Sequence, residues 1–144
     1  MEYIVAAESD IGIAKSVNQD SLCVKVAETE LGNAALLLIC DGMGGLAMGE
    51  LASAEVVQGF SEWFENEFPK HLRNFDREDI ARQVAELLGS LNEKLIAYGE
   101  ANRLTMGTTA TGMIIFNQQY LSFHVGDTRI YKVSHQLSCL TEDH

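Results

Sequence analysis

The residues with the clearest chemical potential are an aspartate and three glycines that follow an apolar run. Residues 36–40 read Leu-Leu-Leu-Ile-Cys, and positions 41–45 read Asp-Gly-Met-Gly-Gly. The run predicts a buried strand, so the carboxylate of Asp41 would stand at a sheet rim. Glycines beside it would let a metal ion or a phosphate approach the backbone closely. The same letters also fit a tight Asp-Gly turn without any chemistry.

Two more aspartates stand at the ends of predicted strands. Asp20 opens a strand after Asn18-Gln19, and Asp127 follows Val125-Gly126 at a corner between strands. Each of them alone is typical of a turn or a cap. Together with Asp41 they could supply the several oxygen ligands that hard divalent cations prefer. We therefore predict that the three carboxylates gather beside one cation-binding pocket between two stacked sheets.

Composition bounds the class of protein. The chain has 144 residues, one proline and 47% hydrophobic residues, which is typical of one folded domain. Its net charge of −11 argues against nucleic acid or an anionic membrane as the partner. There is no apolar run long enough to cross a bilayer and no secretory signal, so we expect a cytoplasmic protein. The three cysteines are expected to be small core residues.

The helices and strands that must position these residues can be predicted from the periodicity of apolar residues. They indicate an α+β domain with helices packed on sheets. Helices are predicted over residues 47–68 and 76–98, the second with Asp76 as its N-terminal cap. A hairpin turn is predicted at Gly32-Asn33. Strands are predicted over 2–8 and over 34–40, which contains the apolar run, and period-two patterns predict strands over 21–27, 108–116, 120–125, 128–133 and 136–140.

Five blocks of the sequence stand out together. The blocks are Ser9-Asp10-Ile11-Gly12 with Asn18-Gln19-Asp20-Ser21, Asp41-Gly42-Met43-Gly44-Gly45 with Gly49-Glu50 and Ala52-Ser53, Met106-Gly107-Thr108-Thr109-Ala110, Val125-Gly126-Asp127-Thr128-Arg129, and Leu140-Thr141-Glu142-Asp143-His144. In order and spacing they resemble the metal-dependent protein phosphatases of the type 2C family. Met43 stands where many eukaryotic members carry histidine, so the bacterial branch is the more similar one.

The resemblance implies a metal centre and a reaction. Asp41 would bridge two Mn²⁺ or Mg²⁺ ions, the carbonyl of Gly42 would ligate one of them, and Asp20 would serve the second. Asp127 would contribute to a third, weaker metal site, and Lys15 would bind phosphate. In the family the two ions activate a shared water, which attacks the phosphorus of phosphoserine or phosphothreonine in line. Asp41 and Asp20 are thus the expected catalytic residues.

The resemblance also implies a fold and partners. The fold would be an αββα sandwich, with two antiparallel sheets flanked by helices. The partners would be a phosphorylated protein substrate and a Ser/Thr kinase that opposes the phosphatase.

Four departures from the family pattern bear on the expected activity. Lys15 replaces an arginine, which removes bidentate phosphate binding. Gln19 replaces a common glutamate, and Met43 cannot act as a general acid. The family's domain also continues beyond the block that ends at His144, with two further metal-binding aspartates. Residues 1–144 are therefore expected to be the N-terminal portion of the domain, with its C-terminal part absent and little or no activity.

Two other hypotheses remain open at this point. The chain could be a non-enzymatic interaction module that forms a homodimer through exposed sheet edges. It could also be a metal-binding protein unrelated to phosphatases, although that hypothesis leaves four of the five blocks unexplained.

Overall fold

A computed structural model describes residues 2–45 and 48–144, and within them it contains seven strands and two α-helices. The chain is α+β, as predicted. The elements are β1 (Asp20–Thr29), β2 (Gly32–Gly44), α1 (Met48–Asn66), a short 3-10 helix (Phe68–His71), α2 (Arg77–Asn102), β3 (Met106–Thr108), β4 (Ala110–Phe116), β5 (Gln119–Val125), β6 (Tyr131–Val133) and β7 (Leu137–Cys139).

The main sheet is antiparallel, with the strand order β1-β2-β4-β5. β3 pairs with the last residues of β2, so that β3 and β4 together line one side of β2. β6 and β7 form a separate two-stranded sheet. The long central strand β2 thus carries residues 36–40 through the middle of the sheet and ends with the Asp-Gly-Met-Gly segment.

One face of the main sheet is covered by the two helices. Leu36, Leu38 and Ile114 point to this face and have 0%, 1% and 0% of their surface exposed. The ring of Phe60 in α1 stacks on Phe123 of β5 with centroids 4.9 Å apart. The predicted helical stripes supply the rest of this core, which includes Val56, Phe64, Ile80, Val84, Leu91 and Leu95. The burial of these apolar side chains is the main source of the fold's stability.

The opposite face of the sheet is much more exposed. Leu22, Val24 and Ile39 alternate with the buried residues of their strands and keep 37%, 38% and 51% of their surface in solvent. Residues 128–131 lie over part of this face and form a shallow pocket with residues 37–39 and 111–113. We call this side the open face and the other side the covered face.

The helices agree with the sequence prediction. α1 ends two residues before the predicted limit, and Ala47, its predicted first residue, lies outside the described residues. α2 begins at Arg77, and the carboxylate of Asp76 accepts a hydrogen bond from the backbone N–H of Glu78. Such a cap satisfies a donor that the first turn of a helix otherwise leaves unpaired. No helix in the described part of the chain is long and apolar enough to span a membrane.

Three local predictions were wrong. Residues 2–8 form no strand; the Tyr3 hydroxyl instead donates to the backbone carbonyls of Asn33 and Asn117. The first hairpin turns at Glu30-Leu31 instead of Gly32-Asn33, because the Thr29 hydroxyl accepts from the N–H of Leu31 and donates to the Gly32 carbonyl. Cys139 is exposed, whereas Cys23 and Cys40 are buried as predicted.

Candidate metal centre

Two of the predicted carboxylates lie directly opposite each other. The register of β1 and β2 pairs Asp20 with Asp41, so both side chains point to the open face at the same end of the sheet. Partial burial raises the pKa of Asp41. The hydrogen bond with Asp20 and the negative charge of Asp20 raise it further. Two adjacent carboxylates that disfavour each other's ionisation are stabilised by a cation between them.

A positive charge lies close to this pair. Lys15, in the segment before β1, acts on Asp41 through its charge and opposes the increase of the Asp41 pKa. The predicted phosphate-binding residue thus lies close enough to Asp41 to influence its ionisation. Its role toward phosphate stays a prediction.

Gly42 is buried where the end of β2 meets the start of α1. Its backbone N–H donates to the carbonyl of Gln19 at 3.2 Å, and an added Cβ would overlap the carbonyl oxygens of Gln19 and Gly49. A Cβ on Gly49 would in turn come 2.6 Å from the backbone nitrogen of Met43. Close approach of the helix to the strand therefore requires glycine at both positions. The ligand role of the Gly42 carbonyl stays a prediction beside this packing role.

Gln19 and Ser53 hold this junction, and sequence reasoning gave neither of them a structural role. The hydroxyl of Ser53, which is fully buried in α1, donates to the Gln19 carbonyl at 2.7 Å and shares a hydrogen bond of 2.8 Å with Ser21. The side-chain amide of Gln19 donates to the Gly44 carbonyl at 3.1 Å. An ionised glutamate could not donate this bond. The sequence marked Ser53 only as a polar residue amid the apolar residues of α1 and as part of a family block, without indicating what it contacts.

Asp127 lies at the corner that follows β5, next to Gly126, which has a φ of +114°. The corner reaches the Asp41 strand through Thr109, whose hydroxyl lies 2.9 Å from the N–H of Asp41 and 3.0 Å from the hydroxyl of Thr128. Within residues 2–45 and 48–144, however, no three histidine, cysteine, aspartate or glutamate side chains come together as a metal site. The structure therefore brings Asp20 and Asp41 together, and a shared metal site with Asp127 stays a prediction.

Residues 142–144 contact the same corner, and the N–H of His144 donates to the carbonyl of Gly126 at 2.9 Å. The guanidinium of Arg129 donates two hydrogen bonds to Asp143, at 2.6 and 2.9 Å, and this contact lowers the pKa of the Asp143 carboxyl. His124 hydrogen-bonds to the hydroxyl of Thr111 at 2.8 Å and to the carbonyl of Glu142 at 2.7 Å. Arg129 and His124 thus both join the corner to the last residues of the chain.

The sequence model of one family, described as protein phosphatase 2C, matches residues 13–144. The match covers nearly the whole chain, including both carboxylates of the pair. This chain belongs to the protein phosphatase 2C family. Membership decides against the hypothesis of a metal-binding protein unrelated to phosphatases.

Several relatives in the protein phosphatase 2C family come from bacteria. The chain is 31% identical over 116 residues to the serine/threonine phosphatase stp of Listeria monocytogenes, and the aligned region covers 78% of this chain and 44% of the relative. It is 28% identical over 141 residues to the serine/threonine protein phosphatase PstP of Mycobacterium tuberculosis, and the aligned region covers 96% of this chain and 24% of the relative. The chain thus spans less than half the length of these relatives.

Solved structures of the family have the same fold. The catalytic domain of PstP in complex with two manganese ions superimposes with a TM-score of 0.77 at 29% identity, over 96% of this chain and 54% of that one. Stp1 from Staphylococcus aureus gives a TM-score of 0.79 at 29% identity, over 94% of this chain and 51% of that one. The αββα sandwich of the protein phosphatase 2C family is therefore the fold to which this chain belongs, and the chain spans about half of it.

Proposed function

We propose that residues 1–144 are the N-terminal portion of a catalytic domain that hydrolyses phosphoserine and phosphothreonine on proteins with the help of divalent cations. The observation that carries the proposal is the pairing of Asp20 with Asp41 at one end of the sheet. The family match and the bacterial serine/threonine phosphatases among the relatives support it.

The residues present fit a hard divalent cation. Asp20 and Asp41 place carboxylate oxygens side by side, and oxygen donors are the ligands that Mg²⁺ and Mn²⁺ prefer. Asp41, Asp20 and the Gly42 carbonyl would hold two such ions, and Asp127 would hold a third. A bound cation of this kind polarises a phosphoryl oxygen and acidifies water.

The chain's own residues would orient the phosphate ester. Lys15 carries a positive charge near Asp41 and would attract the dianionic phosphate as a single point charge. The junction of Gly42, Gly49 and Gln19 holds the end of β2 against α1, so that the carboxylate of Asp41 projects from a fixed backbone. Precise placement of this kind is what metal-assisted phosphoryl transfer requires of a protein.

Two carboxylates are fewer than the six oxygen ligands that Mg²⁺ and related cations take. We therefore propose that residues 1–144 alone bind these cations weakly and turn over slowly or not at all. In the whole protein, the substrate would be a phosphorylated protein in the cytoplasm, and a Ser/Thr kinase would add the phosphate that this domain removes.

Manganese binding to this chain tests the proposal directly. Mn²⁺ at millimolar concentration should raise the melting temperature of the wild-type chain, since a ligand that binds only the folded state stabilises it. Asp41→Asn and Asp20→Asn should remove that increase. Glu28→Gln, which removes an equal charge at the far end of β1 and lies opposite Asn33, should retain it.

Catalysis is tested with p-nitrophenyl phosphate and Mn²⁺, on this chain and on any longer form that its gene encodes. The longer form should be active and its Asp41→Asn variant inactive, while Glu28→Gln keeps the activity. Equal manganese stabilisation of wild type and Asp41→Asn, or turnover by the Asp41→Asn variant, would remove this residue from the centre and overturn the proposal.

A further inference from the structure

The backbone ladder along β2 is interrupted between the pairs Ile39–Thr111 and Gly42–Thr108, and Thr109 lies within this interruption. The same register runs through β3 and β4 on either side, and it places Thr109 opposite Asp41. The N–H of Thr109 donates to the Asp41 carbonyl at 2.9 Å, as an antiparallel pair requires. The N–H of Asp41, however, donates to the Thr109 hydroxyl at 2.9 Å, and the Thr109 carbonyl instead accepts from the hydroxyl of Thr108. A side chain has replaced a backbone acceptor at the predicted metal-bridging residue.

The hydroxyl of Thr109 joins two parts of the site. Thr109 has only 3% of its surface exposed, so its polar group must be satisfied within the protein. Besides accepting from Asp41, it shares a hydrogen bond of 3.0 Å with the hydroxyl of Thr128. Thr128 follows Asp127 directly, so a single buried oxygen connects the Asp41 backbone to the corner of the third carboxylate.

The methyl group of Thr109 contacts the same corner from the other side of Asp127. An added Cβ on Gly126 would come 2.5 Å from Cγ2 of Thr109, so the backbone of Gly126 lies against this methyl group. Asp127 is therefore held between two residues, Gly126 and Thr128, that both contact Thr109. Neither serine nor valine can reproduce both contacts, because one lacks the methyl group and the other the hydroxyl.

We propose that Thr109 is a positioning residue, which fixes the Asp41 backbone and the Asp127 corner relative to each other so that both carboxylates serve the metal centre. The proposal rests on the proposed function for its metal. Groups that orient metal ligands typically change metal affinity when they are removed, although they do not contact the ion.

The test compares two buried threonines, Thr109 just before β4 and Thr111 within it. Thr111 also has 3% of its surface exposed, and its hydroxyl also makes a side-chain hydrogen bond, but that bond goes to His124, whereas the Thr109 hydroxyl bonds to Asp41 and Thr128. Thr109→Val and Thr111→Val therefore remove the same buried group. Manganese affinity is measured by calorimetry on the full 144-residue chain, and unfolding midpoints are measured in parallel.

Thr109→Val should weaken Mn²⁺ binding about tenfold, in the range seen for groups that orient metal ligands, and Thr109→Ser should restore most of it. Thr111→Val should lower the unfolding midpoint to a similar degree and leave the affinity unchanged. The NMR amide resonances of Asp41 and of residues 126–128 should shift together in Thr109→Val only. Thr128→Val should add little to Thr109→Val, because both variants remove the same hydrogen bond.

An unchanged Mn²⁺ affinity in Thr109→Val, together with a lowered midpoint, would overturn the proposal and leave Thr109 a purely structural residue. So would amide shifts of Asp41 without shifts at residues 126–128. If the wild-type chain and Asp41→Asn bind Mn²⁺ equally, the proposed function fails. The amide shifts in Thr109→Val then still support or overturn the positioning role.

Discussion

The two faces of the main sheet differ in what their residues do. On the covered face, apolar side chains from β2 and β4 pack against α1 and α2 with almost no exposure, and they carry the stability of the fold. On the open face, apolar residues remain partly in solvent, and one end of the sheet carries the pair Asp20 and Asp41. Stability and the proposed metal chemistry thus belong to opposite sides of the same strands. Four comparisons test this division, from the largest expected effect to the smallest.

The largest contrast is expected between two leucines on opposite faces. Leu36→Ala should lower the free energy of unfolding by about 3 kcal/mol, because it empties a fully buried position of the covered face. Leu22→Ala removes the same atoms from the open face and should cost about 1 kcal/mol or less. Urea unfolding followed by circular dichroism measures both. Equal losses would show that the two faces contribute alike.

The junction that positions Asp41 should be sensitive to a single methyl group. Gly49→Ala should destabilise the chain by about 2 kcal/mol, since its Cβ would overlap the backbone of Gly42 and Met43. Gly89→Ala is the matched control, because Gly89 lies in α2 with nothing near its added Cβ, and it should stabilise by about 0.5 kcal/mol. Thermal unfolding of both variants distinguishes crowding from helix propensity, and a stabilised Gly49→Ala would contradict the close contact.

The pair of carboxylates Asp20 and Asp41 should lower the free energy of unfolding at neutral pH. The folded-state pKa of Asp41 is raised above 3.8, so the folded state holds this proton more tightly than the unfolded state. Stability therefore falls as the pH rises from 3.8 through the raised pKa, and the full penalty applies above it. Asp20→Asn should relieve this penalty by about 0.5 kcal/mol at pH 7, because the pair is exposed to solvent, and by nothing below pH 3.8.

Melting temperatures across the pH range measure this effect. Glu28→Gln serves as the control, because it lowers the net negative charge equally at the other end of β1. A pH-independent gain in Asp20→Asn, or an equal gain in both variants, would assign the effect to net charge instead of the pair.

The smallest effect needs no substitution. Burial raises the pKa of Cys40 to about 12 and also raises that of Cys23, and both thiols lie on the covered face. Cys139 in β7 is exposed. A thiol reagent at pH 8 should therefore modify Cys139 quickly and the other two only after denaturation, since the thiolate is the reactive form. Rapid modification of all three by mass spectrometry would indicate that the covered face opens readily.

The covered face was largely predictable from the sequence, because burial leaves a periodic pattern. The steps of three and four residues from Ile80 to Leu95 identified α2, and the alternation in residues 108–116 identified the strand of β4. The Asp76 cap was also predictable, because capping depends on a local sequence of a few residues.

The pairing within the candidate site was harder to predict, because it depends on the exact turn of the first hairpin. A two-residue turn at Gly32-Asn33 would have placed Val24 opposite Asp41. The actual turn at Glu30-Leu31 places Asp20 there. The Thr29 side chain decides between them by hydrogen bonds on both sides of the turn, and no periodic pattern reports such a contact.

Contacts that join distant segments were not predictable either. The roles of Thr109 and Ser53 depend on partners far away in the chain, Asp41 for the former and Gln19 for the latter. A single buried hydroxyl carries no sequence signal beyond its residue type. The family resemblance did mark the segments that contain these residues, but it did not say what each side chain contacts.

The order in which the main sheet is synthesised has a consequence for the candidate site. Across one end of that sheet lie, in register, Asp20, Asp41, Thr109 and Gly126. The first two residues leave the ribosome early and can pair as a hairpin, but a lone hairpin is barely stable in water. The strand that supports Asp41 on its other side is made only after both helices. Until Gly126 has been made, a nascent chain therefore carries these two acidic groups without the rigid backbone on which the proposed metal centre depends. The proposed metal centre would therefore form only after translation has passed Gly126.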